Sequence, residues 1–257
     1  MSRRLAGLLL VLWLAGCASI PAPYQGHAKG LDYARITPFP ESVVHALRVD
    51  LQTLQVSVSP PAEKGLPLDQ MASSAGALAS INVSYFNKEF QVRGLTVSNG
   101  EAWAPVFEVA RSPLLACDAA QRCEVVLQPP AQMKPEWSNV VAGTPWLLDH
   151  GRRRTAEDDE RCGSHCKSTH PRTAVGLDAS GRYLIIALAE GRRPPVLGLS
   201  LVQMSAVMAQ LGAVDAINLD GGGSSTLLMD GRSVMQRPFN EPALRKVANA
   251  LHIRARP

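Results

Sequence analysis

Leu54, Val56 and Val58 alternate with Gln55, Ser57 and Ser59. That two-residue period predicts a strand with one buried face. The preceding stretch VVHALRVD, residues 43–50, reads as another strand. Residues 67–81, PLDQMASSAGALASI, read as a helix of small residues that runs into a strand, SINVSYF, at 80–86. Two extended pieces flank a turn at Asn99-Gly100, and 125–130 and 144–151 are further short strands. Residues 172–191 predict a hairpin of two strongly apolar strands around Ala179-Ser180-Gly181. The clearest helix is 199–212: Leu201, Val202, Ala206, Val207 and Leu211 share a face, Ser200 and Gln203 form a capping box, and Gly212 ends it. A buried strand, 213–220, leads to a glycine-rich loop and a hairpin over 225–236 that turns at Asp230-Gly231. Residues 243–255 begin as helix and end as strand. Strands and helices mix without the strict alternation of a parallel α/β chain. The expected class is therefore α/β in the mixed α+β sense: a mixed sheet with packed helices, forming a single compact domain over residues 31–257.

The first residues stand apart from that pattern. Arg3 and Arg4 precede an apolar run from Leu8 to Ala15, too short for a transmembrane helix. Residues 1–16 predict an export signal. Leu14-Ala15-Gly16-Cys17 resembles a bacterial lipobox, which makes Cys17 the expected lipidated residue and the lipid bilayer an expected partner. Ala18 then points to the outer membrane, facing the periplasm or the cell surface. Residues 17–30 read as lipidated cysteine and tether.

Composition changes the picture in two ways. The formal charge of +4 drops to +2 once Arg3 and Arg4 are removed with the signal. No basic stripe with interleaved aromatics is present, so nucleic acid is not an expected partner. Four cysteines remain, an even number in an exported chain, and this suggests disulfides. Cys117 and Cys123 would close a hairpin tip, and Cys162 and Cys166 would staple the charged loop 151–170. The rival for that loop is zinc held by Cys162, His165, Cys166 and His170. The favoured reading assigns neither metal nor cofactor. The loop itself is either a binding element or a solvated excursion.

NLDGGGSSTLLMDG, residues 218–231, carries the chemistry. Three consecutive glycines are costly to order, yet they expose backbone amides that suit an anion, phosphate above all. Gly221, Gly222, Gly223, Ser224 and Ser225 are the expected phosphate-binding residues. Asp220 is a poor anion ligand but a good acid, base or hydroxyl acceptor. The loop lacks the pattern of a Walker loop or a nucleophile elbow.

This stretch closely resembles the signature of the phosphodiester glycosidase family. SINVSYFN at 80–87, HPRTAVGLDASGRYLIIALAEGR at 170–192, the helix and strand of 198–220, and RKVANALHI at 245–253 resemble other family segments in the same order. The resemblance spans roughly residues 43–253. It implies cleavage of a sugar-1-phosphodiester at the anomeric carbon, with a phosphomonoester leaving. Such chemistry needs an anion site and a carboxylate. Arg172 is expected to clamp the phosphate, aided by Arg192 and His170. Asp220 is the first choice for the carboxylate and Glu190 the second, although Glu190 also reads as an exposed loop acid. Asn82 and Asn218, inside apolar strands, are expected either to meet sugar hydroxyls or to satisfy local backbone. The expected function is a surface-anchored glycosidase acting on envelope or extracellular glycans. The alternatives are a non-catalytic binder of anionic polysaccharide and, more weakly, a metal-dependent phosphodiesterase.

Overall fold

The computed structural model describes residues 24–104, 112–130, 132–160 and 162–256. The signal segment, Cys17 and the start of the tether lie outside the described residues.

Among the described residues, eighteen strands form three sheets. The largest has eight strands, in the order β1 (Gln25–Ala28), β2 (Leu31–Ile36), β3 (Val44–Asp50), β14 (Tyr183–Ala189), β13 (Arg172–Leu177), β15 (Asp215–Leu219), β11 (Trp146–Asp149) and β12 (Arg152–Arg153). A second runs β7 (Glu101–Ala102), β6 (Thr96–Ser98), β10 (Trp137–Ala142), β8 (Leu114–Asp118) and β9 (Cys123–Val126). The third runs β17 (Arg232–Ser233), β16 (Leu227–Met229), β5 (Ala79–Asn82), β18 (Ala250–Ala255) and β4 (Leu54–Val58). Three α-helices accompany them among the described residues: α1 (Leu68–Ala75), α2 (Ser164–Lys167) and α3 (Leu201–Gln210).

The expected α/β class is thus overturned. The chain is mostly β, and neighbouring strands in all three sheets are antiparallel. The physical reason lies in the connections. Tight turns fix the antiparallel direction only of hairpins such as β13–β14 and β8–β9; pairs such as β3–β14 and β5–β18 join strands distant in the chain, whose direction no local pattern shows. Two helical expectations also shrink. α1 stops at Gly76, whose left-handed backbone donates to the Ala72 and Ser73 carbonyls. Residues 243–249 do not form a helix: Val247 exchanges backbone bonds with Gly65 and Leu66, and this pairing keeps the segment extended into β18.

The eight-stranded sheet is buried on both faces, which explains the unbroken apolar runs of β13 and β14. One face carries α3, where Leu201, Met204, Val207 and Met208 meet Ala174, Ile185, Ala187 and Ala216. The expected capping box is present, with Ser200 Oγ accepting from Gln203 N and Gln203 Oε1 accepting from Ser200 N. The other face carries the third sheet: Val175, Ile186, Ile217 and Leu219 pack with Val56, Ile81, Leu227, Leu251 and Ile253.

The tether enters the fold earlier than expected, because β1 pairs with β2 from Gln25 onward. Both expected disulfides are formed, Cys117–Cys123 across β8 and β9 and Cys162–Cys166 across α2. The charged loop 151–170 is largely exposed and is anchored by three buried residues, Arg154, Asp159 and Cys166. Arg154 Nε donates to Asp159 at 2.6 Å, both groups buried, and Arg154 N donates to Ser205 Oγ of α3.

Candidate active site

β13 and β15 are neighbours with Thr173 opposite Leu219, so Arg172 at the start of one strand lies near Asp220 beyond the end of the other. Asn82, at the end of β5, locks this junction. Its Oδ1 accepts from Thr173 Oγ1 and Thr226 N, both at 3.1 Å, and its Nδ2 donates to the Asp220 carbonyl at 2.7 Å. Asn82 is buried and bonded to the chain, so it holds the glycine loop at both ends.

The three glycines answer to three different close approaches. A Cβ on Gly221 would sit 2.7 Å from the Pro171 carbonyl oxygen. Gly222 has φ +61° and lies against the Arg192 guanidinium, its virtual Cβ 3.1 Å from Nη1. A Cβ on Gly223 would collide with the Glu241 carboxylate and the Arg245 guanidinium, which are paired to each other. The loop bends through a 3₁₀ turn, Gly222–Ser224, and commits most of its amides internally. Gly222 N donates to Pro171 O, Ser224 N to Gly221 O, and Ser225 N to Gly222 O. Gly223 N is the loop amide without a chain acceptor among the described residues. The glycines therefore bring guanidinium groups close rather than lay out a long row of free amides.

Around this loop is a pocket of about 190 Å³, lined by Tyr85, His165, Arg172, Arg192, Asp220, Gly221, Gly222, Gly223 and Arg245. Three guanidinium groups face one carboxylate. Arg172 is 1% exposed. Its Nε donates to Leu199 O at 3.1 Å, and its Nη2 donates to the carbonyls of His165 and Ser168 at 2.6 and 3.0 Å. Its Nη1 meets His165 Nε2 at 3.1 Å. A guanidinium has five N–H donors, so one Nη1 proton remains for a ligand. Burial draws the Arg172 pKa down to about 10, with Tyr85 and Asp159 opposing and Arg192 adding to the effect.

The electrostatics sort the titratable groups. Burial raises the Asp220 pKa to about 6, against the opposing pull of the Ser224 hydroxyl, the Gly221 N–H and Arg245. Burial draws His170 down to about 4, helped by Arg172, Arg192 and His165. His165 is lowered by the same burial and the same two arginines. The two imidazoles stack with centroids 5.2 Å apart and are neutral at pH 7. Asp220 is largely ionised there yet holds a proton near pH 6, the range in which a carboxylate transfers protons efficiently.

The residues expected from sequence fall into three groups. Asp220, Arg172, Arg192 and Gly221–Gly223 line the pocket. His170 stands behind it, its Nδ1 3.3 Å from Arg192 Nη2, while Ser224, Ser225, Asn82 and Asn218 are buried beneath. Asn218 Nδ2 donates to Tyr85 Oη at 2.6 Å and so positions that hydroxyl. Its Oδ1 is buried without a partner. Glu190 lies apart, in a buried relay in which Oε1 meets His45 Nε2 at 2.8 Å and accepts from Gln236 N at 2.9 Å, with Tyr33 Oη beyond His45 Nδ1. Burial pushes the Glu190 carboxyl up, but the His45 contact and the Gln236 N–H outweigh it and hold its pKa below the usual value.

Sequence reasoning missed Tyr85, Arg245 and, as a pocket residue, His165. Tyr85 had a signal, three positions past Asn82 in the same strand-end motif. Arg245 had none, because it reaches the site from a segment that reads as helix.

The comparisons agree with this architecture. A family model described as phosphodiester glycosidase matches residues 75–254. The mouse N-acetylglucosamine-1-phosphodiester alpha-N-acetylglucosaminidase is 37% identical over 102 residues, which is 36% of this chain and 19% of that protein. This match thus spans about a fifth of the curated relative's length. The zebrafish catalytic domain of the same name superposes with a TM-score of 0.70 at 21% identity, covering 88% of this chain and 82% of that one. A hypothetical protein from Synechocystis superposes with a TM-score of 0.72 at 15% identity, covering 92% and 64%. Both structures share the fold. With the family model matching well over half of its residues, the chain belongs to the phosphodiester glycosidase family.

Proposed function

We propose that the protein hydrolyses sugar-1-phosphodiesters by breaking the bond between the anomeric carbon and the bridging oxygen. Asp220 carries this reading: among the described residues it is the one carboxylate lining a pocket that also holds three guanidinium groups. Arg172, Arg192 and Arg245 hold the phosphodiester anion. Asp220 accepts a proton from water as the water oxygen bonds to the anomeric carbon. The electron pair of the breaking bond goes to the phosphate oxygen, and the products are free sugar and a phosphomonoester. Charge on the phosphate grows during this step, so fixed guanidinium groups stabilise the transition state more than the ground state. Tyr85 Oη accepts from Asn218 Nδ2 and donates its one proton to the Thr144 carbonyl at 3.0 Å, so the ring forms a fixed wall of the pocket.

The Cys17 lipobox supports attachment to a membrane, and two disulfides suit an oxidising compartment. On this reading the enzyme is an outer-membrane lipoprotein acting on envelope or extracellular glycans. The test is release of reducing sugar from the methyl ester of N-acetylglucosamine 1-phosphate and from analogues with other sugars. Release by wild type that is lost in Asp220→Asn supports the proposal. No release from any sugar phosphodiester, with anionic glycan still bound, would make the protein a binder.

A further inference from the structure

A second cleft adjoins the pocket and plays no part in the chemistry above. Its volume is about 430 Å³, and its lining includes Arg193, Gln236, Arg237, Phe239, Glu241 and Leu244. The two spaces share a partition. Glu241 lines the cleft, Arg245 lines the pocket, and the two side chains pair over Gly223. Backbone bonds hold the cleft wall in place: Phe239 N donates to Arg192 O at 3.2 Å, and Gln236 N donates to the buried Glu190 carboxylate.

The cleft is cationic and unsatisfied. Arg193 and Arg237 are exposed, and neither has a carboxylate partner among the described residues. The one acid in the lining, Glu241, is already committed to Arg245. Phe239 is 84% exposed beside them and offers an apolar face of the kind on which a polyol or sugar ring can lie. Arg192 lines the pocket and its chain neighbour Arg193 lines the cleft, so guanidinium groups occur on both sides of the Glu241–Arg245 partition. With the sugar beside Asp220, the alcohol side of a phosphate held at Arg245 is the side left to run over that partition.

We propose that the cleft binds a second phosphate of a polyanionic leaving group, so that the substrate is a repeating phosphodiester polymer rather than an isolated ester. This rests on the hydrolase reading for which side of the phosphate enters the cleft, but its binding is measurable without turnover. The probe is oligo(glycerol phosphate), titrated calorimetrically into the full chain and into the Arg193→Ala/Arg237→Ala double variant. Losing two exposed charge-assisted contacts weakens binding about ten-fold. The wild-type affinity falls with added salt, and the variant's falls less steeply. The melting temperature is unchanged, because both side chains are exposed. Hydrolysis of the single-phosphate methyl ester keeps its kcat/KM within about two-fold, because that ester does not reach the cleft. Equal affinity of wild type and variant for the oligomer would overturn the inference, whether or not the methyl ester is hydrolysed. Failure of wild type to hydrolyse any ester would count against the hydrolase reading and leave the titration to decide the cleft.

Discussion

Replacing Asp220 by asparagine separates what the site does for catalysis from what it costs the fold. The carboxyl is pushed from 3.8 to about 6, chiefly by burial. A raised carboxylate pKa means that the folded state disfavours the charged form. Below pH 3.8 both states hold the proton and the site costs nothing. Between pH 3.8 and 6 the unfolded chain releases its proton while the folded chain keeps it, so stability falls as pH rises. Above pH 6 the full penalty applies, at most about 3 kcal/mol for a displacement of this size. Asp220→Asn keeps the size and removes the charge, so the variant is more stable at pH 7.5, by roughly 6–12 °C at that upper bound. At pH 4 the gain shrinks to well under about 1 kcal/mol. The same variant loses about 10²-fold or more in kcat. Melting curves at pH 4 and 7.5, paired with sugar-release assays, read both effects. A variant with near-normal kcat and a melting difference that ignores pH would refute the assignment of a strained catalytic carboxylate to Asp220.

Glu190→Gln acts in the opposite sense: it weakens the His45 contact and the acceptor for Gln236 N, lowers stability by about 1–3 kcal/mol, and leaves kcat within a few-fold because Glu190 does not line the pocket. Arg172→Ala removes the free donor of the pocket and orphans the carbonyls of His165 and Ser168, while Leu199 O keeps the His170 N–H. It lowers kcat/KM by about ten- to a hundred-fold and also lowers the melting temperature, whereas an unchanged KM would remove Arg172 from phosphate binding. Peptide mapping of unreduced protein finds Cys117 joined to Cys123 and Cys162 to Cys166; four free thiols would contradict both bonds. Cys17→Ser yields an unlipidated protein that partitions into the aqueous phase of a detergent extract, and unchanged partitioning would exclude the lipid anchor.

The parts of the fold legible in the sequence are those set by near neighbours in the chain. The hairpin of β13 and β14 shows in two apolar runs around Ala179-Ser180-Gly181, and the start of α3 shows in Ser200 and Gln203. Strand direction is not local, so the antiparallel β architecture was misread as α/β. The same holds for residues 243–249, whose helix-favouring side chains yield to backbone pairing with residues 65–67 across the chain. At the site, the placement of Asp220 and Arg172 in one pocket was legible because their motifs end neighbouring strands. The place of Glu190 was not legible, because a strand end near Arg172 says nothing about which face its side chain takes. It turns to His45 on the neighbouring strand. Arg245 was invisible, because its contact with Gly223 exists only once β18 and the glycine loop are brought together.

The measurement that tests the central claim most directly is hydrolysis of a sugar-1-phosphodiester in ¹⁸O-labelled water, with both products analysed by mass spectrometry. Attack at the anomeric carbon puts the label in the released sugar and leaves the phosphomonoester unlabelled, as this site predicts. Label in the phosphomonoester would mean that water attacked phosphorus, and would contradict the account of Asp220 and the three arginines as a glycosidase site.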